Sequence, residues 1–371
     1  IKRRIDAADG QPGVLADLAG GRYFLCDAHL DHRTGEPGRI LAVHDDAVLV
    51  ACGDASLWIG SVRRQPAPGE ETFKRPARHE LGRLLDAAPR LEWAVDTHPH
   101  CEESYQPIRY REVGRVGELT FELYNGALST EHCQRLVRAL QWAKRQDTRV
   151  LLIRSGRGSF CNGVHLNVIQ AAERPGEEAW RNIQAIDDVC LEILTAPQLT
   201  VAGVAGNAGA GGVMMALAAD VVLARQGVVL NPHYATMGLY GSEYWTYTLP
   251  RAVGGETAAR LSGDCLPIGA RQAWRLGMVQ DIGPRDPETF GSWLLSMAGA
   301  AERNWPELAR RKQELDPARL QLCRRAELDE MRQDMLENRR GFAERCQGFV
   351  LKRRACRTPE RLVEDWARVA D

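Results

Sequence analysis

The chain has 371 residues, 48 basic and 49 acidic, with a formal net charge of −1. That length supports two domains and a substantial buried core. The charge balance offers no basic footprint for nucleic acid or an anionic membrane surface, and no apolar run reaches the ~20 residues of a membrane-spanning helix.

In chain order, Ile1 reads as part of a strand already under way, as in a trimmed fragment. Residues 1–66 are short apolar runs (39–43, 47–51, 57–62) broken by the turns Asp9-Gly10-Gln11-Pro12-Gly13, Thr34-Gly35-Glu36-Pro37-Gly38 and Cys52-Gly53-Asp54. This spacing predicts the strands of a small barrel. Residues 67–112 are Pro-rich and charged, read as a linker with one helical segment near 80–87. His98-Pro99-His100-Cys101 stands alone in that polar stretch without further ligands at metal-binding spacing, so no metal is expected. The ten cysteines show no Cys-x-x-Cys pair and no secretory leader precedes them, a pattern of free, mostly buried thiols in a reducing cytoplasm.

From Glu118 the pattern becomes α/β. Residues 118–124 alternate as a strand, and Cys133, Leu136, Val137 and Leu140 repeat at helical spacing. Strand 149–153, helix 178–194, strand 199–204, helix 211–218 and strand 221–225 follow, an alternation that argues for a mostly parallel sheet. Residues 301–371 are charge-rich and helical, with Leu328, Met331 and Met335 on one face.

Two strand-to-loop elements stand out. After the apolar run 199–204 comes Gly206-Asn207-Ala208-Gly209-Ala210-Gly211-Gly212-Val213-Met214, a turn almost without side chains that opens a helix. Bare amides at such a helix start can bind an oxyanion. No Gly-Lys-Ser/Thr follows, so it is not a phosphate P-loop. Upstream, strand 150–153 runs into Ser155-Gly156-Arg157-Gly158-Ser159-Phe160-Cys161-Asn162-Gly163-Val164-His165-Leu166, a second glycine loop that can offer the other donor of a two-amide pocket.

These pieces, with Asp220-Val221-Val222-Leu223-Ala224, Leu249-Pro250-Arg251-Ala252-Val253-Gly254, Leu261-Ser262-Gly263-Asp264 and Ala273 to Gly277-Met278-Val279, resemble the crotonase (enoyl-CoA hydratase/isomerase) superfamily over roughly residues 117–285. Gly35-Glu36-Pro37-Gly38 and Ala51-Cys52-Gly53-Asp54 resemble the C-terminal barrel of methionyl-tRNA formyltransferase-like proteins. Nearly the whole chain resembles the HypX/HoxX family of hydrogenase maturation factors. That likeness rests on residues 160–167, on Asn231-Pro232-His233-Tyr234 and on the aromatic run Met237-Gly238-Leu239-Tyr240-Gly241-Ser242-Glu243-Tyr244-Trp245-Thr246-Tyr247.

The resemblance implies an α/β crotonase fold, a ClpP/crotonase-like spiral of ββα units. A small all-β formyltransferase C-terminal-like barrel precedes it and a helical C-terminal tail follows. The implied division is barrel 1–66, linker 67–112, crotonase-like core 113–300 and helical region 301–371. The family's formyl-tetrahydrofolate-binding domain, and tetrahydrofolate with it, is expected outside this sequence.

It also implies roles. The amides of Val164 and Gly211 match the positions that bind a thioester carbonyl oxygen. In register, the two glutamates of the hydratases fall on Met214 and Tyr234, which speaks against double-bond hydration. Glu243 matches the loop where other members place a catalytic carboxylate, and its aromatic surroundings favour a raised pKa and proton transfer; the alternative is a structural Glu bonded to a tyrosine. Tyr234, Ser242, His233 and His165 complete the acid–base candidates, and Asn162 and Asn231 could orient a small substrate. Coenzyme A is expected on the turn Asn125, Ala127, Leu128 and the loop Phe160, Asn162, Gly163, with Lys352, Arg353 and Arg354 at its phosphates or, alternatively, as a solvated helix end. The implied activity is decarbonylation of formyl-CoA to carbon monoxide and coenzyme A in making the CO ligand of [NiFe]-hydrogenase. Hydrogenase maturation proteins are the expected partners and the cytoplasm the expected location. An enoyl-CoA hydratase/isomerase, a thioester hydrolase and a non-catalytic acyl-CoA-binding module remain alternatives.

Overall fold

The computed structural model describes residues 1–96, 105–156, 158–311 and 315–353, with only the backbone at 309–311. The chain begins with helix α1 (Lys2–Ala7), not the expected strand. An i,i+4 pair between Lys2 and Asp6 lies on its outer side, and Ile5, wholly buried, anchors it on the first sheet. That sheet is antiparallel. It runs β1 (Val14–Leu18), β2 (Gly21–Asp31), β5 (Ser56–Arg64), β4 (Ala47–Ala51), β3 (Ile40–His44), with Arg75–Pro76 paired to β5. Leu25, Val48, Ile59 and Val62 form its core with Leu81 of helix α2 (Ala77–Leu81).

The second sheet holds the larger core. Its order is β11 (Asp281–Gly283), β10 (Val221–Arg225), β9 (Leu199–Val204), β8 (Val150–Ser155), β7 (Val116–Phe121), β6 (Ile108–Val113). All neighbours are parallel except the hairpin β6–β7. Strand β6 arises within the stretch read from sequence as a linker, where Ile108 and Tyr110 alternate inward with exposed Arg109 and Arg111. Strand β9 is buried at every residue, as a parallel strand covered on both faces must be. One face packs on α3 (Thr130–Ala143) and α5 (Pro175–Leu194), the other on α8 (Pro287–Gly299) through Phe290, Leu294 and Ala298. Helix α4 (Leu166–Ala171) follows the loop after β8, and α6 (Gly211–Leu217) follows the glycine turn. Helix α7 (Trp245–Val253) follows the aromatic loop, while α9 (Pro317–Leu336) and α10 (Phe342–Val350) return over the core. This is the crotonase α/β fold, preceded by the formyltransferase C-terminal-like sheet and closed by a helical region.

The glycine turn owes its composition to close backbone approach. A Cβ on Gly206 would overlap the Gly158 carbonyl, and one on Gly212 would overlap the Cys161 carbonyl. Neither obstacle is a flexible side chain. We therefore expect Gly212→Ala to cost about 1–3 kcal/mol, the range for forcing atoms into a packed core, measured by urea unfolding.

Candidate active site

Two short bridges bring the loops together. Cys161 pairs with Ala208, and Leu128 pairs with Val164. In the second, Leu128 donates to the Gly163 carbonyl and His165 donates to that of Leu128. The intervening Val164 N–H is left over. Gly211 is the first residue of α6, so its N–H has no acceptor within the helix. Gly163 has φ of +80°, and a Cβ there would stand 3.6 Å from the Gly211 nitrogen. The two loops thus set their amides side by side. Among the described residues neither amide donates to a protein acceptor.

An acid closes on the same spot. Glu243 is 1% exposed, and a methyl on Gly211 would collide with its carboxylate, Oε1 nearest. The other oxygen, Oε2, accepts from the Tyr234 hydroxyl at 2.8 Å and from Ser242 Oγ at 3.0 Å. Tyr234 is itself buried, and its ring needs Gly241, where any Cβ would strike it. Burial raises the pKa of Glu243 against these two donors. Burial and the Glu243 charge push the Tyr234 phenol well above its usual range. The phenol therefore acts as a donor, and the carboxyl is a stronger base than a solvated one.

The loop reaches this shape with Glu243 and Tyr244 both left-handed, at φ of +60° and +59°. Three buried carboxylates hold it by its backbone. Asp187 of α5 accepts the Glu243 N–H at 2.7 Å. Glu327 of α9 accepts the amides of Tyr244 at 2.9 Å and Thr246 at 2.8 Å, and Asp334 of α9 accepts that of Tyr240 at 2.8 Å. Arg339 and Arg340 pair with Asp334 at 2.9 Å each. Sequence reading missed all three acids. The available signal was the stripe Leu320, Glu327, Met331, Asp334, Met335, where two acids take helical positions that call for apolar residues.

The remaining candidates separate into groups. His165 caps α4, its Nδ1 accepting from Val168 N at 3.3 Å, and burial with its neighbour His132 lowers its pKa to about 4. Its neutral ring serves the helix start. His233 is buried beside Thr236, with 3.5 Å between Nδ1 and the hydroxyl. Asn231 accepts the Ala210 amide on its backbone, while its buried Oδ1 accepts no hydrogen bond among the described residues. Phe160 is a core residue, packed edge-on to Phe121. Asn162 donates to the Asn125 carbonyl at 2.8 Å, joining the loop to the turn Asn125, Ala127, Leu128. At the outer end Lys352 lies over the Phe349 ring, whereas Arg353 is engaged by Glu71 at 2.9 Å. Lys74, not singled out in the sequence, donates to Tyr124 beside that turn, and burial and Lys74 lower the Lys352 pKa. His98, His100, Cys101 and Arg354 lie outside the described residues. The described cysteines are all free, and no described helix is long and apolar enough to cross a membrane.

The enoyl-CoA hydratase/isomerase family profile matches residues 115–356. The chain belongs to that family. The formyl transferase C-terminal domain profile matches residues 1–76, as expected for the first sheet. Hydrogenase maturation factor HoxX of Bradyrhizobium diazoefficiens is 43% identical over 304 residues, 81% of this chain and 51% of HoxX. The chain thus spans about half the length of that curated relative. The crystal structure of HypX from Aquifex aeolicus in complex with tetrahydrofolic acid superposes with a TM-score of 0.92 at 35% identity, over 98% of this chain and 65% of HypX. An enoyl-CoA hydratase from Bacillus halodurans shares the fold at 20% identity, with a TM-score of 0.57. The chain is therefore an enoyl-CoA hydratase/isomerase family member with a segment in front that matches the formyl transferase C-terminal domain.

Within this family member the α9 clamp is titratable. Burial outweighs three hydrogen bonds and raises the Glu327 pKa from 4.5 to about 7. A carboxyl with a higher pKa folded than unfolded binds more protons when folded, so its contribution is lost as pH rises through that window. Relative to Glu327→Gln, the native chain should lose on the order of 3 kcal/mol of stability between about pH 4.5 and about pH 8. Urea unfolding of both proteins across that range checks it.

Proposed function

We propose that this chain decarbonylates formyl-CoA, releasing carbon monoxide and coenzyme A for the CO ligand of a [NiFe]-hydrogenase. The observation that carries this reading is the buried acid Glu243, bonded to the Tyr234 hydroxyl and set against the start of α6 beside two amides that donate to no protein acceptor among the described residues. The amides of Val164 and Gly211 hold the formyl oxygen; one such donor is worth roughly 3 kcal/mol of barrier in known cases. Glu243 takes the formyl proton, the C–H pair stays on carbon as the lone pair of CO, an oxygen lone pair completes the carbon–oxygen triple bond, and the C–S bonding pair leaves on sulfur. The same proton then passes to the thiolate. Tyr234 and Ser242 keep the carboxylate turned inward, and the raised pKa of Glu243 suits a group that must both accept and return a proton.

Coenzyme A enters as substrate. The backbone of Asn125, Ala127 and Leu128 and the loop Phe160, Asn162, Gly163 would receive the nucleotide end. Lys352 with Lys74 would meet its phosphates in place of Arg353, which Glu71 occupies. Formation of formyl-CoA from formyl-tetrahydrofolate is assigned to a domain outside this chain, and hydrogenase maturation proteins would be the partners, in the cytoplasm. Hydration of enoyl-CoA is disfavoured because Met214, wholly buried, and Tyr234 stand where the hydratases have carboxylates.

Incubation with synthetic formyl-CoA, with CO read by haemoprotein absorbance, tests the proposal. Glu243→Gln and Tyr234→Phe should each slow CO release by about 100- to 10,000-fold with coenzyme A affinity retained. Formate in place of CO would make the chain a hydrolase. No turnover with intact coenzyme A binding would leave an acyl-CoA-binding module.

A further inference from the structure

We propose that the junction between the first sheet and the crotonase core is a binding site for a divalent cation of the zinc class, with Asp46, His79 and Glu131 as ligands. Asp46 lies in the turn between β3 and β4, His79 on α2 and Glu131 in the first turn of α3. One donor atom from each lies within 4.8 Å of the others. Donors around a four-coordinate ion with bonds of about 2.0–2.2 Å stand roughly 3.3–3.6 Å apart, so small side-chain rotations would close the set.

A second observation points into the same space. Asp46 is 5% exposed, and its Oδ1 accepts no hydrogen bond among the described residues, although a buried unmet carboxylate oxygen is costly. His79 Nε2 lies 3.9 Å from that oxygen. Its other oxygen, Oδ2, is 2.7 Å from His132 Nε2. His132 Nδ1 in turn accepts the Ser129 amide at 3.2 Å, which leaves Nε2 to donate to Asp46. A ligand carboxylate held from behind by a fixed imidazole is the usual outer arrangement of a metal site.

A cation already lies over part of the cluster. The Arg78 guanidinium pairs with Glu131 and approaches His79 Nε2 at 3.4 Å, while its own Nε has no acceptor. Its side chain is 23% exposed, so it can turn out to solvent and yield the position. One imidazole and two carboxylates suit zinc or a similar first-row ion better than magnesium. Such an ion would tie the first sheet to the start of α3, directly after the turn Asn125, Ala127, Leu128.

The test is calorimetric titration of zinc into the chelator-treated 371-residue chain, in parallel with His79→Ala, Glu131→Gln and Arg78→Ala. One equivalent should bind, at least tenfold more weakly in His79→Ala and in Glu131→Gln, and more tightly in Arg78→Ala because the competing cation is gone. Bound zinc should also raise the thermal midpoint of the native chain and not that of His79→Ala. Stoichiometric binding that survives both ligand substitutions would place the metal elsewhere and overturn the proposal. So would the absence of zinc binding in both the native chain and Arg78→Ala, the folding of each confirmed by a cooperative thermal transition.

Discussion

The candidate site depends on one constraint: helix carboxylates capture the backbone amides of the loop that presents Glu243. Two consecutive non-glycine residues in the left-handed region cost on the order of 1–3 kcal/mol each. The loop would relax from that shape without compensation. Asp187 binds the first of the two amides and Glu327 the second, so the strained pair is the pair that is held. The consequence is directional. With those amides turned towards α5 and α9, the Glu243 side chain is left to point at the start of α6, where Tyr234 and Ser242 fix its outer oxygen.

This arrangement concentrates negative charge in a dry place. Asp187, Glu243 and Glu327 all have pKa values raised first by burial, and Asp187 is raised further by the other two. The cluster therefore retains protons at pH values where separate carboxyls would be ionised. Arg324 offsets part of the charge from 3.8 Å away, opposite the Asp187 oxygen that accepts no hydrogen bond. Because the acids are coupled, neutralising one changes the basicity of the others. A substitution at Asp187 or Glu327 would thus alter Glu243 by charge as well as by geometry, and double-mutant cycles are needed to separate the two.

How much of this was legible in the sequence follows from range. The strands β8, β9 and β10 and the glycine turn are written in local patterns: apolar runs, and glycines where another backbone passes. Glu243 and Tyr234 were legible through the motifs of a known family. Their hydrogen bond was not, because eight residues without a regular repeat lie between them. Helix α9 illustrates the harder case. Its charged composition reads as a solvated surface, yet Glu327 and Asp334 are wholly buried because the loop supplies amides that replace water. No local pattern encodes a partner some 80 residues away in the chain. Helix α1 escaped because it is short and is anchored on the first sheet by Ile5, and strand β6 because its alternation of Ile108 and Tyr110 with exposed Arg109 and Arg111 lies in a charged stretch that reads as linker.

In the proposed register Met214 and Tyr234 stand at the hydratase carboxylates, and that replacement bears on chemistry more than on stability. A hydratase needs two acids facing each other across one water, so that both can share its protons. Here Met214 contributes only apolar volume, and Tyr234 spends its proton on Glu243. A phenol kept well above its usual pKa will not serve as a base at neutral pH. What remains is one base with two hydroxyl donors behind it, facing two amides. That set can remove a proton from a carbon held under the amides and hand it to a leaving group, but it has no second acid to steer water onto a double bond. Under the proposed reaction the formyl carbon carries the proton and sulfur is the leaving group, and the lack of a water-binding acid pair becomes an advantage, because hydrolysis of the thioester is the competing path.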